Sequence, residues 1–254
     1  MATQSQSDVK ELNLTALKAA CSTCSLRELC LPIGLSPAEV EQIDQIIRRR
    51  RQFKRGEYLY RAGTPFQSLY AIRVGFFKTC DAGNDGWEQI TGFHMSGELL
   101  GLDAISTDAH TCDAVALEDS EICEIPFDRL EELGRSIPAL QHQFHKMMSR
   151  EIMRDHGLML LLGNMKAEER LATFLLNLSQ RFNARGYSPT AFHLRMTREE
   201  IGNYLGLKLE TVSRLFSKFQ QQGLVNVRHR YLELKDLPGL KRIIECCGYP
   251  HTGV

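Results

Sequence analysis

The spacing of apolar residues along this chain changes character twice. Residues 36–49 read as a helix: Ser36 suits the N-cap, Glu39 three residues on completes a capping box, and Pro37 fits the first helical position. From Gln52 to about Pro126 the period shortens to two. Short runs over 57–60, 68–73, 75–79, 88–93, 114–117 and 121–125 alternate apolar and polar residues between Gly and Asp/Asn turns. That pattern predicts an antiparallel barrel or roll, with a hairpin turn over 81–86. Pro126 ends the last strand; a short helix follows over about 127–134 and a long one over about 138–162. Gly163-Asn164 marks a break. Beyond it come a helix from Lys166 to about Phe182, a connector, two short helices about a turn, a strand pair near 223–234 and a last helix over about 237–246.

The long helix has more apolar residues than one face can hold. One line through it, Met148, Ile152, Asp155, Met159 and Leu162, advances in steps of 4, 3, 4 and 3. That is a coiled-coil seam with a carboxylate in its middle, and it predicts self-association. A helix packed on its own roll with Asp155 at the edge would show the same line.

The two short helices are the most specific stretch. Thr197 and Glu200 form a second capping box, and Gly206 stands where the intervening turn needs positive φ. The second helix is expected to bury Leu209, Val212, Leu215, Phe216 and Phe219, which leaves Glu210, Ser213, Arg214, Ser217 and Gln221 on the opposite face. This is a helix-turn-helix whose second helix enters the major groove of double-stranded DNA. Arg214 can pair with guanine O6 and N7, Glu210 can accept from cytosine N4, and Ser213 can reach a neighbouring edge or phosphate. The strand pair, joined through Arg228-His229-Arg230, reads as a wing. Thr197, Arg198, Lys208 and Arg230 complete the expected DNA-contacting set. A generic helical hairpin with a polar face is the bland alternative.

Composition adds bounds. At 254 residues the chain holds one or two domains, and 43% hydrophobic with 24% charged residues is ordinary for a globular protein. No run of about 18 apolar residues suggests a membrane span, and the polar start MATQSQSDVKELN lacks an apolar signal region. A cytoplasmic location with reduced thiols is the expectation. The net charge is zero, yet residues 166–254 carry 14 Lys and Arg against 8 Asp and Glu. The remainder is correspondingly acidic. A basic C-terminal part suits a polyanionic partner.

Cys21, Cys24 and Cys30 place three thiols within ten residues, spaced C-x2-C-x5-C. Thiolates are soft ligands suited to zinc or iron–sulfur iron, and a centre of either kind usually needs a fourth. Cys80, Cys112 and Cys123 are the candidates, and spacing does not choose among them. A disulfide and unrelated thiols are the competing readings.

With these parts in this order, the chain resembles the cyclic-AMP receptor protein superfamily of bacterial transcription regulators, and within it the FNR (fumarate and nitrate reduction) branch of oxygen sensors. The residues that carry the resemblance are Cys21, Cys24 and Cys30; Glu88-Gln89-Ile90-Thr91-Gly92-Phe93; Cys123-Glu124-Ile125-Pro126-Phe127; Ala167-Glu168-Glu169-Arg170-Leu171; and Ile201-Gly202-Asn203-Tyr204-Leu205-Gly206-Leu207 with Glu210-Thr211-Val212-Ser213-Arg214. It covers nearly the whole chain, from about Cys21 to Leu234. It implies an α+β fold: a cysteine-bearing segment over 1–35, an antiparallel β-roll sensor domain over 36–137, a dimerisation helix over 138–163 and a winged helix-turn-helix over 164–254. It implies a [4Fe–4S] cluster on Cys21, Cys24, Cys30 and, as fourth ligand, Cys123. It further implies a homodimer that forms without oxygen, palindromic TTGAT-like DNA sites controlling anaerobic genes, and contact with RNA polymerase; the hairpin over 81–87 and the connector over 185–190 are the exposed candidates for that contact. Enzyme activity is not expected. Cys80, Cys112, Cys246 and Cys247 fall outside the pattern and read as core or surface thiols.

The nucleotide-binding relatives grip a cyclic phosphate with an Arg-Ser pair after Gly-Glu-Leu. Here Gly97-Glu98-Leu99 is present, but the later segment reads His110-Thr111-Cys112-Asp113, so a cyclic nucleotide is not an expected ligand. A relative sensing a haem-bound gas or nitric oxide is an alternative, since His94, His110 and Cys80 exist, although no feature makes them ligands. An iron–sulfur enzyme is the alternative from another class. Against it, a C-x3-C-x2-C motif and a paired acid/base constellation are both missing.

Overall fold

The computed structural model describes residues 21, 24, 26–47, 49–83 and 88–245. A short helical turn α1 (Arg27–Cys30) precedes α2 (Pro37–Ile46), whose Ser36/Glu39 capping box and leading proline are both formed. The helix stops at Ile46, short of the expected Arg49. Residues Arg49–Phe53 instead make strand β1, paired along its length with Ser120–Glu124. A run of arginines gave no strand signal; pairing with a neighbouring strand fixed its conformation.

The roll is completed by β2 (Tyr58–Tyr60), β3 (Ser68–Val74), β4 (Phe76–Ala82), β5 (Glu88–Met95), β6 (Leu99–Leu100), β7 (Asp113–Ala116) and β8 (Ser120–Pro126). They form two antiparallel four-stranded sheets, ordered β1-β8-β3-β6 and β2-β7-β4-β5. β4 and β5 pair up to Ala82 and Glu88, as the predicted hairpin requires; residues 84–87 of its turn lie outside the described residues. Phe77 points inward with Phe53, Ile72, Leu100 and Ile122. Its neighbour Phe76 points outward, yet it is equally buried, in a core shared with the C-terminal helices. Successive strand residues face opposite sides, so a strand buried on both sides marks a sheet covered on both.

After α3 (Phe127–Ser136) runs the long α4 (Pro138–Asn164), 27 residues and so about 40 Å. Then come α5 (Ala167–Asn183), β9 (Ala191–His193), α6 (Arg198–Leu205), α7 (Leu209–Gln221), β10 (Val225–Arg228), β11 (Tyr231–Leu234) and α8 (Leu237–Glu245). The expected strand pair is a three-stranded sheet, β10-β11-β9, because the three-residue β9 adds to the edge of β11. Arg170 on α5 ties the C-terminal part together by donating to the carbonyls of Met165, Leu162 and Leu205. No described helix is long and apolar enough to cross a membrane.

Candidate cofactor recess and nucleic-acid interface

Cys24, Cys30 and Cys21 reach one place because the segment curls back on itself. The Cys24 amide donates to the Cys21 carbonyl at 3.3 Å, and the Cys30 amide to Leu26 at 3.1 Å as α1 closes. The Cys21 amide donates to Asp44 of α2 at 3.1 Å, which anchors the segment's start. Across from it, Cys123 sits on β8 between Arg50 of β1 and Ala71 of β3. All four thiols line a single recess of about 80 Å³. Its other walls are largely apolar and include Leu140, Gln143, Phe144 and Met147 of α4.

Cys80 and Cys112 are buried in separate cores, away from the recess, while Cys246 and Cys247 lie outside the described residues. All six described cysteines are free thiols. Among the described residues, no three His, Cys, Asp or Glu side chains are drawn together tightly enough to hold a single metal ion.

The recess disfavours bare negative charge. Burial, then the Asp44 carboxylate and the neighbouring thiols, push Cys21 up to about 12. Burial with Cys24 and Cys123 does the same to Cys30, also to about 12, against the opposing pull of the Arg185 guanidinium. Burial raises Cys123 too, while Arg50 and Arg73 counteract it. Such thiols ionise readily only beside a compensating cation, and a cluster of iron ions would supply one. Four soft donors in a water-poor cleft suit that group.

His94 and His110 are also buried, but each is engaged. His94 Nε2 lies 3.1 Å from Thr79 Oγ1, and the His110 ring stacks at 3.6 Å on Tyr60.

At the other end, the Thr197/Glu200 capping box starts α6 and Gly206 adopts φ 63° in the turn. Val212, Leu215, Phe216 and Phe219 are buried as expected; Leu209 is not, being 45% exposed at the first turn of α7. Periodicity placed it inward, but a helix's first residue can overhang the core it leads into. Glu210 and Arg214 are exposed and Ser213 is half-buried on the outer face, with Lys208 exposed just before the helix. Arg230 is exposed at the tip of the β10–β11 hairpin. Thr197 is committed to its cap, and Arg198 packs its guanidinium 4.4 Å from the centre of the Phe216 ring.

Sequence reasoning gave Gly202 no role. A Cβ there would lie 2.6 Å from the Leu207 carbonyl, so the helix-turn-helix closes only over a glycine. Gly202→Ala should cost about 1–3 kcal/mol through overpacking. Urea unfolding and binding to specific DNA should both weaken; wild-type values for both would show that the turn relaxes freely.

Comparison with known proteins places the whole assembly. Residues 50–136 match the cyclic nucleotide-binding domain family and residues 169–243 the Crp-like helix-turn-helix domain family. The chain is 50% identical over 226 residues to the transcriptional regulatory protein btr of Bordetella pertussis, covering 89% of this chain and 93% of that protein. It is 46% identical to the fumarate and nitrate reduction regulatory protein of Vibrio cholerae, covering 87% and 91% respectively. Among solved structures it is similar to FixK2 from Bradyrhizobium japonicum, with a TM-score of 0.71 and 30% identity, covering 77% of this chain and 96% of that one. The chain belongs to the FNR branch of the cyclic-AMP receptor protein superfamily, a family of transcription regulators and not of enzymes.

Proposed function

We propose that this protein is an oxygen-responsive regulator that carries a [4Fe–4S] cluster on Cys21, Cys24, Cys30 and Cys123. It dimerises through α4 without oxygen and binds palindromic TTGAT-like sites in double-stranded DNA, which control anaerobic genes. One observation carries the reading: those four thiols, and no other described cysteine, converge on one recess. When bound, the cluster supplies an oxygen-labile centre.

The chain's own residues supply the rest. Cys21, Cys24 and Cys30 belong to the N-terminal segment and Cys123 to the roll, so holding the four thiolates together pins the segment down. α4 forms one wall of the recess, so the segment's position bears directly on that helix. Coupling requires only that these contacts differ between two states. Farther along α4, Ile152 is 54% and Met159 61% exposed, an apolar seam that a second copy would cover. The dimer would present two copies of α7 about one DNA turn apart, roughly 34 Å.

A cyclic nucleotide is not the expected signal. Glu98 is already taken by arginines, and Asp113 accepts from the Ala62 amide at 2.8 Å where a phosphate would need a cation. RNA polymerase is the expected protein partner. Arg185 does not serve that contact, since its guanidinium is buried on Glu98; Tyr187, 57% exposed, remains available in the connector. A reducing, cytoplasmic setting suits the free thiols.

Anaerobic purification tests the cofactor. A brown protein with stoichiometric iron and acid-labile sulfide is expected; stoichiometric zinc instead would reject the cluster. For base reading, Arg214→Ala should cost about 1–3 kcal/mol at one guanine position and relax preference there. Arg230→Ala should weaken all sequences alike and flatten the salt dependence. Equal losses on specific and random DNA for Arg214→Ala would remove it from the base contacts.

A further inference from the structure

Glu98 sits where four parts of the chain meet. It lies in the turn between β5 and β6. Its carboxylate accepts from Arg181 at 2.7 and 3.1 Å and from Arg185 at 2.6 Å, the first on α5 and the second just past its end. Arg154 of α4 approaches to 3.5 Å and also holds Glu151 at 2.8 Å. The two α5-side arginines grip the backbone of the same region as well: Arg181 donates to the Phe93 carbonyl at 2.6 Å and Arg185 to Ser96 at 2.5 Å. Burial alone would raise the Glu98 pKa, yet the three guanidiniums hold it well below the usual carboxylate range.

The other side of this turn faces the cysteine segment. Gly97 is packed so closely on Leu29 that a Cβ there would come within 2.8 Å of its Cδ1. The Leu29 carbonyl in turn accepts from Gln143 of α4 at 3.5 Å. Leu29 directly precedes Cys30.

We propose that Glu98 is a positioning residue that passes the state of the thiol recess to the helix-turn-helix. The proposal rests on the oxygen-responsive reading above. Three residues, Ser96 to Glu98, are held on one side by the segment and on the other by the DNA-binding part. Charge-assisted bonds of 2.6–2.7 Å tolerate little displacement, so a turn freed from Leu29 shifts the arginines with it. A second attachment lies elsewhere on β5, the edge strand of its sheet. Asn203 of α6 accepts from the Ile90 amide at 2.6 Å and donates to the Glu88 carbonyl at 2.5 Å. Around it the shared apolar core, Lys78–Glu200 at 3.4 Å and Arg195–Glu118 at 3.0 Å hold the same face of the roll. With the Glu98 attachment loosened, the Asn203 clamp and these contacts remain as the pivot, and the recognition helix turns about them relative to the roll.

The test compares Glu98→Gln with the wild-type full chain, each prepared anaerobically with its cluster and again after exposure to air. Iron content, sedimentation and affinity for specific DNA are measured in both states. Glu98→Gln should load iron and sediment as the wild type does, while the anaerobic-to-aerobic affinity ratio shrinks at least tenfold. Arg181→Gln should shrink the ratio as well, since Arg181 makes two of the bonds to Glu98. A role in stability alone would lower affinity in both states and leave the ratio unchanged, and that result overturns the proposal. If Glu98→Gln does not fold, Arg181→Gln decides by the same ratio. Failure of both to load iron also counts against the proposal, because a residue outside the recess should leave loading intact. A wild type with no difference between the two states removes the oxygen-responsive reading and this inference with it. A responsive wild type with equally responsive variants removes the inference alone.

Discussion

Cys123→Ser should give a colourless protein that neither dimerises nor binds specific DNA without oxygen, whereas Cys112→Ser should stay coloured and active. The expected effect is complete loss and not a shift, because a hard hydroxyl oxygen does not replace a soft thiolate on iron. The geometry separates the two cysteines clearly. Cys123 lines the recess with Cys21, Cys24 and Cys30, while Cys112 is packed inside the roll beside Phe77 and Ile122. Removing a sulfur from Cys112 disturbs packing alone, and the same holds for Cys80 in the shared outer core. Single serine replacements at Cys21, Cys24 and Cys30 should behave like Cys123→Ser. Visible absorption with iron and sulfide assays on anaerobic preparations reads the result. A colourless Cys112 variant beside a coloured Cys123 variant would overturn the assignment of the fourth ligand.

Much of this was legible in the sequence, and the exceptions share a cause. Local chemistry announced both capping boxes and the positive φ at Gly206, because each depends on residues within one turn of chain. The period-two runs announced most strands. β1, β6 and β9 were not legible, since an arginine run, a two-residue piece and a three-residue piece carry no alternation and form only against strand partners. Convergence of the three N-terminal thiols on Cys123 likewise depends on the register of β8, which spacing cannot give. Arg185 looked like an exposed connector residue because its anion, Glu98, lies 87 residues away. Asn203 and Gln89 belonged to motifs shared with a family, without an evident reason. The structure supplies one: the Asn203 carbonyl accepts from Gln89 at 2.9 Å, and its side chain pairs the open edge of β5.

Asp155→Ala should give a protein that is dimeric and binds DNA in air without its cofactor, and Ile152→Ala one that stays monomeric even when loaded. The chain's own packing narrows the seam on which this turns. Met148 is half-buried, and Leu162 packs into the C-terminal core with its carbonyl held by Arg170. Ile152, Asp155 and Met159 are left exposed, with Met153 and Leu160 open beside them. Ile152 and Met159, 54% and 61% exposed, would each contribute roughly half of the 1.5–3 kcal/mol that complete burial gives, per copy, under a partner helix. Against this, two Asp155 carboxylates near the dimer axis repel. At about 4 Å and an effective dielectric near 20 the repulsion is about 4 kcal/mol. Although the side chain is exposed, desolvation by its surroundings, opposed by Arg154 and His156, already raises the Asp155 pKa in the single chain, and a partner would add to that. The opposing contributions are of similar size, so on the proposed reading a small push from the recess would decide whether a dimer forms. Deleting the carboxylate removes the opposing side, and truncating Ile152 removes part of the favourable one. Sedimentation of both variants with and without oxygen measures the outcome. If Asp155→Ala remains a monomer in air, the balance is set elsewhere on α4, and Asp155 is a solvated helix residue.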